Sequence, residues 1–163
     1  MRGFGIWVGS MNKKDFSCIA DIEVRWGDLD ALNHVNNAVY LTYYETGRTF
    51  YGQELDKINP DLERVGGVVA ECTCVYLQQL RFPASVQVCT RVSRIGNTSF
   101  DYTAALFYKD QDENPISTFK ARMVCFDQKT QQKYRLPDES RALISQYEKI
   151  KPEMWQVCFC WAE

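Results

Sequence analysis

The sequence of 163 residues contains a single histidine, His34, and lacks several motifs that mark common active sites. One histidine cannot build a metal site that needs several histidine ligands. No Gly-x-Ser-x-Gly element is present, which argues against the serine nucleophile of an α/β-hydrolase. Neither a Walker loop nor a Gly-x-Gly-x-x-Gly sequence occurs, so the usual glycine-rich phosphate loops are missing as well.

The chain also lacks a strong charge of either sign and a long apolar run. Its formal net charge of -2 gives no electrostatic reason to expect nucleic acid or an anionic membrane as a partner. No apolar run approaches the roughly 18 residues needed to span a bilayer. Phe4 to Val8 is too short for the hydrophobic region of a signal peptide. The length and ordinary composition indicate one globular domain.

Seven cysteines are present, which is an odd number for a disulfide framework. The pairs Cys72/Cys74 and Cys158/Cys160 have one intervening residue, whereas structural zinc sites usually have about two to four. On a strand, such pairs simply face the same side. We therefore predict reduced thiols in a cytoplasmic protein, with no metal and no other cofactor.

The hydrophobic pattern predicts an α+β domain over residues 16–150, between an extension at 1–15 and a tail at 151–163. Alternation from Cys18 to Trp26 indicates a half-buried strand. A helix from Asn36 or Asn37 to Leu55 is apolar on nearly every side, so we expect it to be buried on most sides. After it we predict strands at 68–80, 86–95, 98–109, 116–126 and 133–136, and a helical pattern at 141–150 with Asp138 as N-cap. An antiparallel sheet wrapped around the central helix suits this order.

Residues 25–48, which join the first strand to the helix, carry the most chemically suggestive groups. Two acids, Asp28 and Asp30, lie close in sequence to His34. Unpaired N–H groups at a helix N-terminus, here around residues 35–37, can hold an oxyanion. A carboxylate about six residues earlier, that of Asp30, can attack a bound acyl group or activate a water molecule for its hydrolysis.

Each of these residues also has a purely structural interpretation. The two aspartates can form an Asx-turn between strand and helix, and His34 can be a capping or hydrogen-bonded histidine. The tyrosine-rich face of the helix is typical of a protein core. Glu45 and Arg48 are three residues apart and are expected to form a partly buried pair that fixes the helix rotation. The residues alone leave these alternatives open.

The same stretch contains a compound motif, which consists of Arg25-Trp-Gly-Asp-Leu-Asp30, His34-Val-Asn-Asn37, Tyr40, Tyr44-Glu45 and Arg48. It closely resembles the acyl-CoA thioesterases of the hotdog fold, in particular the branch similar to 4-hydroxybenzoyl-CoA thioesterase. The segment that begins with His34 is also similar to plant acyl-ACP thioesterases. The predicted order of elements over about residues 16–136 fits the whole hotdog domain.

In that family the second acid of the Asp-x-Asp pair is the catalytic carboxylate, which corresponds to Asp30. The first acid, Asp28, is implied to orient the loop. Some bacterial members have a histidine at the position of Asn37, and plant acyl-ACP enzymes have an asparagine at the position of Leu32. The role of His34 therefore stays open.

The resemblance implies a catalytic set of residues and a substrate-binding set. The catalytic residues are Asp30, His34 and Asn37, and the substrate-binding residues are Val35, Asn36, Tyr40, Tyr44, Arg91 and Arg94. The two arginines, with Lys120 and Arg122, are candidates to meet the phosphates of CoA or of a carrier protein. Glu71, on a strand predicted to face the helix, is a candidate second acid. A homodimer or homotetramer without a metal is also implied.

The predicted function is hydrolysis of an acyl-CoA or acyl-ACP thioester to the free acid and the thiol, with Asp30 as general base or nucleophile. A protein of the same fold that binds acyl thioesters without hydrolysing them is the alternative, since fold does not fix function. A dehydratase is a third option, which is weakened because the His and Asp spacing of hotdog hydratases is absent.

Overall fold

The computed structural model of this chain describes residues 11–60 and 67–154. It confirms the α+β class. The elements are β1 (Cys18–Glu23), α1 (Asn37–Ile58), β2 (Gly67–Tyr76), β3 (Ser85–Ile95), β4 (Ser99–Tyr108), β5 (Ser117–Asp127), β6 (Gln132–Lys133), α2 (Asp138–Tyr147) and β7 (Glu153–Met154). The predictions for residues 1–10, for the loop at 61–66 and for Cys158/Cys160 lie outside the described residues.

The main sheet has the strand order β1-β3-β4-β5-β2, and each neighbouring pair in this order is antiparallel. β6 extends β5, and β7 pairs in parallel with the end of β3. The hairpin predicted at Gly96-Asn97 joins β3 to β4 and is closed by a hydrogen bond from the Gly96 N–H to the Ser99 carbonyl at 2.7 Å. β2 therefore lies at one edge of the sheet, although it is the first strand after α1.

Helix α1 packs one face against the inner face of the sheet. The buried positions are three, four and seven residues apart, which defines one stripe of a helix; they are Tyr40, Tyr43, Tyr44, Gly47 and Tyr51. At Gly47 the helix approaches β3 so closely that a Cβ atom would lie 2.5 Å from Val88 Cγ1 and 2.8 Å from Thr90 Oγ1. The helix–sheet contact at this point thus depends on the missing side chain of Gly47.

The expectation that α1 is buried on most sides is wrong for the single chain. The sheet covers one side only, and Leu41 remains 40% exposed and Ile58 54% exposed. The helix begins at the predicted asparagines and continues three residues beyond the predicted end. Within the described ranges, neither α1 nor the shorter helices are long and apolar enough to cross a membrane.

Two predicted strands are shorter in the structure. β1 ends at Glu23, because residues 26–28 form a turn of 3-10 helix. β2 ends at Tyr76 instead of Leu80, because the N–H groups of Leu77 and Gln78 both donate to the Ile116 carbonyl at 2.9 Å. The segment after β2 is therefore a loop, which returns to the start of α1.

The C-terminal part also differs from the prediction. The last predicted strand, at 133–136, is reduced to the two residues of β6. Asp138 is the first residue of α2, and Pro137 occupies the N-cap position without a side-chain hydrogen bond. The Asp138 carboxylate instead pairs with Arg135 at 2.7 Å.

The predicted N-terminal extension overlaps the packed domain. Met11 is 7% exposed and Phe16 1% exposed, and both pack with Cys89 and Phe107 on the face of the sheet that points away from α1. The Lys13 ammonium donates to the Lys109 carbonyl at 2.9 Å. Residues 11–15 therefore cover part of the outer face of the sheet.

Candidate active site

The loop between β1 and α1 folds back on itself and brings Asp30 close to the start of α1. Leu29 and Val35 form an antiparallel bridge, and the Asp30 N–H donates to the His34 carbonyl at 2.8 Å. Between them, Asn33 has a φ angle of 58°, which is in the left-handed region that asparagine tolerates better than most residues. The resulting tight turn sets residue 30 beside residue 34, and residues 29 and 28 beside residues 35 and 36.

The two carboxylate oxygens of Asp30 differ in the hydrogen bonds that they accept. Oδ1 accepts hydrogen bonds from the N–H groups of Leu32 at 2.8 Å and His34 at 3.4 Å. The Asx-turn foreseen for this loop therefore exists, and Asp30 forms it with one oxygen. Oδ2 receives no hydrogen bond from residues 11–60 or 67–154 and remains able to accept a proton or to attack a carbon.

Asp28, two residues earlier, is fully engaged by the protein. Its side chain is 3% exposed and accepts hydrogen bonds from the backbone and guanidinium of Arg25, at 2.8 and 2.7 Å, and from the Tyr43 hydroxyl at 2.6 Å. Burial opposes the ionised form, but these hydrogen bonds and the charge of Arg25 outweigh it and hold the pKa of Asp28 below its usual value. Its contacts are those of a residue that fixes the loop to the helix.

The N–H groups around the start of α1 are not equally available. The Val35 N–H donates to the Leu80 carbonyl at 2.8 Å, and the Asn36 N–H donates to the Asp28 carbonyl at 2.9 Å. The Asn36 side chain is the N-cap and accepts from the Ala38 N–H at 2.9 Å. Within the described residues, the N–H of Asn37 has no acceptor. The three predicted donors are therefore reduced to one.

His34 contacts a residue that the sequence did not single out. Its Nε2 lies 2.8 Å from Nη2 of Arg81, on the loop after β2. A guanidinium can only donate hydrogen bonds, so Nε2 is the acceptor and the ring proton of the neutral histidine is on Nδ1. The two residues are 47 positions apart, and no local pattern in the sequence indicates the contact.

Tyr76, at the end of β2, was also not predicted as a site residue. Its hydroxyl donates to the Asn37 carbonyl at 2.9 Å, and its ring meets that of Tyr40 edge-to-face, with centroids 5.0 Å apart. Tyr76 therefore fixes the first turn of α1 from the side of the sheet edge.

The two tyrosines predicted to bind substrate lie in the core. Tyr44 is 0% exposed, its ring stacks on Phe119 with centroids 4.6 Å apart, and its hydroxyl is hydrogen-bonded to Ser117 at 2.6 Å. Tyr40 is 3% exposed, and burial raises the pKa of its hydroxyl to about 12. In the single chain both tyrosines pack in the core beneath the start of α1, and their exposed surface is too small to contact a ligand.

The charged residues predicted to meet phosphates lie on the face of the sheet opposite α1. Val88 and Thr90 contact the helix side, so Arg91, the next residue along β3, points outward. Arg94 pairs with Asp101 at 2.6 Å. Glu71, the candidate second acid, lies on the outer face as well, with its carboxylate 3.7 Å from Arg122.

The predicted Glu45–Arg48 pair is present at 3.9 Å, with Arg48 largely buried and Glu45 exposed. Cys72 and Cys74 lie on β2, and both are unpaired thiols, as are the other three described cysteines. In the part of the chain that the structure describes, no group of three or more His, Cys, Asp and Glu side chains is placed to hold a metal ion.

Comparison with known proteins identifies the family. Residues 24–144 match the model of the thioesterase-like superfamily. The chain belongs to this superfamily. The matched segment includes the whole loop from Asp28 to Asn37, the long helix and most of the sheet.

Similar structures and sequences agree with this assignment. The PA5185 protein of Pseudomonas aeruginosa superposes with a TM-score of 0.74 at 26% identity, over 86% of this chain and 97% of that chain. A thioesterase from Thermus thermophilus, solved with coenzyme A and Zn, gives a TM-score of 0.71 at 27% identity, over 83% of this chain and 97% of that one.

A curated sequence relative is the chloroplastic acyl-acyl carrier protein thioesterase ATL2 of Arabidopsis thaliana. It is 29% identical over 130 residues, which are 78% of this chain and 68% of that protein. Together with the superfamily match, these similarities confirm the predicted hotdog fold and the prediction of a thioester hydrolase.

Proposed function

We propose that this thioesterase hydrolyses an acyl-CoA or acyl-ACP thioester to the free acid and the thiol, with Asp30 as its catalytic carboxylate. The observation that carries the proposal is that two unused groups lie close together in the sequence, one in the loop between β1 and α1 and the other on the first residue of α1. The Asp30 Oδ2 accepts no hydrogen bond, and the Asn37 N–H finds no acceptor, within residues 11–60 and 67–154. A carboxylate oxygen and an oxyanion donor are the two groups that acyl transfer requires.

With Asp30 as general base, a water molecule attacks the thioester carbonyl carbon and its proton moves to Oδ2. The carbonyl oxygen becomes an oxyanion, which the Asn37 N–H and the positive end of the α1 dipole stabilise. When the intermediate collapses, the C–S bond breaks and the thiolate leaves. The thiolate takes the proton held by Asp30, which restores the carboxylate.

With Asp30 as nucleophile, Oδ2 itself attacks the carbonyl carbon, the C–S bond breaks and the thiolate is displaced. The product is a mixed anhydride between Asp30 and the acyl group, which water then hydrolyses to the free acid and the Asp30 carboxyl. That carboxyl gives its proton to the thiolate, which restores the carboxylate. Both routes use the same oxygen and the same oxyanion donor. His34, Asn37 and the Asn36 side chain border the reacting atoms in either route.

The proposed substrates are taken from the ligands and substrates that appear in the names of similar proteins. One similar structure holds coenzyme A, and one sequence relative is named for acyl-acyl carrier protein. Acyl-CoA and acyl-acyl carrier protein both present their thioester on a flexible phosphopantetheine arm. We place the protein in the cytoplasm on the basis of its five described, unpaired cysteines, because thiols stay reduced there.

We further propose that a second copy of the chain completes the site. The edge strand β2 is exposed over most of its length, including Val68 at 40% and Val69 at 43%, and α1 leaves its second face open. An exposed, apolar edge strand is a surface that natural proteins normally cover. A homodimer through β2, or a tetramer built from such dimers, covers it and brings further groups to the start of α1.

The competing function is acyl-thioester binding without hydrolysis, and the Asx-turn of Asp30 favours it, because that turn gives the carboxylate a structural task. Thiol release from a panel of acyl-CoA and acyl-ACP substrates, measured for wild type and Asp30→Asn, separates the two. Asparagine keeps the Oδ1 acceptor and hence the turn, so the fold is preserved. We expect turnover to fall at least about 100-fold.

Full turnover by Asp30→Asn would exclude this mechanism. No release from any thioester, with binding retained, would favour the binding protein. Asp21→Asn, on the exposed side of β1, is the matched control and should turn over like the wild type.

A further inference from the structure

Tyr76, the last residue of β2, connects the edge of the sheet to the start of α1. It is paired with Ser117 of β5, and the Ser117 hydroxyl is hydrogen-bonded to Tyr44 of α1. Directly paired residues share a face of the sheet, so Tyr76 also lies on the side of the helix. It is 46% exposed and therefore reaches α1 from the open edge of the sheet.

Two contacts join Tyr76 to the first turn of the helix. Its hydroxyl donates to the Asn37 carbonyl at 2.9 Å, and its ring meets the Tyr40 ring edge-to-face, with centroids 5.0 Å apart. Asn37 and Tyr40 are the first and fourth residues of α1, which span about one turn. Partial burial raises the pKa of the Tyr76 hydroxyl above its usual value, so the hydroxyl keeps its proton at neutral pH and acts as the donor.

The first turn of a helix depends on contacts of this kind. Its N–H groups have no acceptor within the helix, and helix ends fray. The Asn36 side chain caps the turn by accepting from the Ala38 N–H at 2.9 Å. The contacts of α1 with the sheet are mainly with β1 and β3, on the far side of the sheet from β2. Tyr76 adds a contact from the side of β2.

Asn37 carries both the carbonyl that Tyr76 binds and the N–H that has no acceptor in the described residues. Because these two groups flank one Cα atom, a hydrogen bond that fixes the carbonyl also limits the rotation of the N–H. An oxyanion donor works when it lies about 2.7 to 3.1 Å from the oxyanion. A misplacement of about 1 Å costs on the order of 100-fold in rate. The orientation of this N–H therefore matters to the proposed reaction.

We propose that Tyr76 is a positioning residue of the reaction, whose hydroxyl holds Asn37 so that the Asn37 N–H points at the oxyanion. This role rests on the proposed function, because it needs Asn37 as the oxyanion donor. Tyr76 acts through Asn37 and takes no part in the proton transfers. Since the oxyanion forms only after attack on the thioester, the loss of this hydroxyl affects the transition state more than substrate binding.

The test is Tyr76→Phe, which keeps the ring beside Tyr40 and removes the hydroxyl. In the thiol-release assay we expect kcat to fall about tenfold and KM to stay within about twofold of the wild-type value. Amide ¹⁵N relaxation gives a second measurement that is independent of turnover. The order parameters of the Asn37 and Ala38 amides, about 0.85 in a rigid backbone, should be lower in the variant.

The matched control is Tyr147→Phe, which removes a similar hydroxyl near the other end of α1. The Tyr147 hydroxyl donates to the Ser17 carbonyl at 3.2 Å, and its ring meets the Tyr51 ring edge-to-face, with centroids 5.3 Å apart. Its kcat should stay within about twofold of the wild-type value, because distant sites act independently. The Asn37 order parameter should not change. Thermal unfolding of both variants checks that the fold is intact.

An unchanged kcat in Tyr76→Phe would overturn the proposal. So would an equal loss of kcat in Tyr147→Phe, or a lower kcat in Tyr76→Phe with unchanged order parameters at Asn37. If the wild type released no thiol from any thioester, the proposed function would fail, and the order parameters alone would decide whether Tyr76 holds Asn37. Asp30→Asn keeps Tyr76 and should have wild-type order parameters at Asn37. A failure of the Asp30 assignment and a failure of the Tyr76 assignment are therefore seen in different variants.

Discussion

The two halves of the loop between β1 and α1 carry one aspartate each, and the two carboxylates differ in burial and in hydrogen bonding. In the first half, Asp28 is 3% exposed and both of its oxygens accept hydrogen bonds, from Arg25 and Tyr43. In the second half, Asp30 is half-buried, and among the described residues only its Oδ1 accepts hydrogen bonds, from two N–H groups of its own turn. The carboxylates are two residues apart in the sequence and have different neighbours.

This difference indicates which of the two carboxylates is available to take part in catalysis. Hydrogen bonds to an ionised carboxylate stabilise that form and make it a poor proton acceptor, which suits Asp28 for holding the loop to α1. Asp30 keeps one oxygen without a donor in the described residues, beside a helix start whose Asn37 N–H is also unused there. The first half of the loop is thus built for stability and the second for a ligand.

The largest expected effect on stability is that of Asp28→Asn. The amide cannot accept from both Arg25 and Tyr43 in the same way, and it loses the ion pair, so we expect the free energy of unfolding to fall by about 2 kcal/mol. Urea denaturation measures it. In the same assay Asp30→Asn should lose less than about 0.5 kcal/mol, because its turn hydrogen bonds survive. Equal losses in the two variants would remove the contrast between the halves of the loop.

A smaller effect, and one that depends on pH, is expected for Tyr43→Phe. It removes the hydroxyl that donates to Asp28 at 2.6 Å and should cost about 1 kcal/mol at pH 7. Because the hydrogen bonds lower the pKa of Asp28 in the folded state, their stabilisation is present above the unfolded pKa of about 3.9. It is lost as the pH falls through the lower folded value.

Denaturation at pH 7 and near pH 2.5 should therefore show the Tyr43→Phe deficit shrinking in acid. Tyr44→Phe is the matched control. Its hydroxyl bonds to Ser117 instead of a carboxylate, so its deficit should be the same at both pH values. A Tyr43→Phe deficit that did not change with pH would show that Asp28 is not the partner that matters.

The order of the elements could be predicted from the sequence because short local patterns of residues determine it. The apolar run with Asn36 in front of it predicts the start of α1, and Gly96-Asn97 predicts the hairpin between β3 and β4. The compound motif around Asp30 points to the candidate site. These features need only a few consecutive residues, and the structure has the helix start and the hairpin where they were predicted.

What could not be predicted depends on register and on distant partners. A bulge in β2 between Val69 and Glu71 shifts the alternation of side chains along the strand, so Glu71 lies on the outer face of the sheet. A second bulge, before Arg94, does the same in β3. The close approach of α1 to β3 at Gly47 and the Arg81–His34 contact also join parts of the chain that no local pattern relates.

The smallest expected change tests the second half of the loop through that contact. Arg81 is exposed and donates to Nε2 of His34 at 2.8 Å, which fixes the proton of the neutral ring on Nδ1. In Arg81→Gln we expect a mixture of the two tautomers and a change in stability below about 0.5 kcal/mol. The untagged chain has one histidine, so its ¹⁵N ring resonances report the tautomer directly.

Arg135→Gln, which removes an exposed arginine paired with Asp138, should leave the His34 resonances unchanged. If Arg81→Gln also leaves them unchanged, Arg81 does not set the tautomer, and the Nδ1 proton of His34 is fixed by the turn itself. If the tautomer shifts and thiol release falls with it while Asp30 is intact, the orientation of His34 belongs to the reaction. In that case catalysis by the second half of the β1–α1 loop depends on Arg81, in the loop after β2.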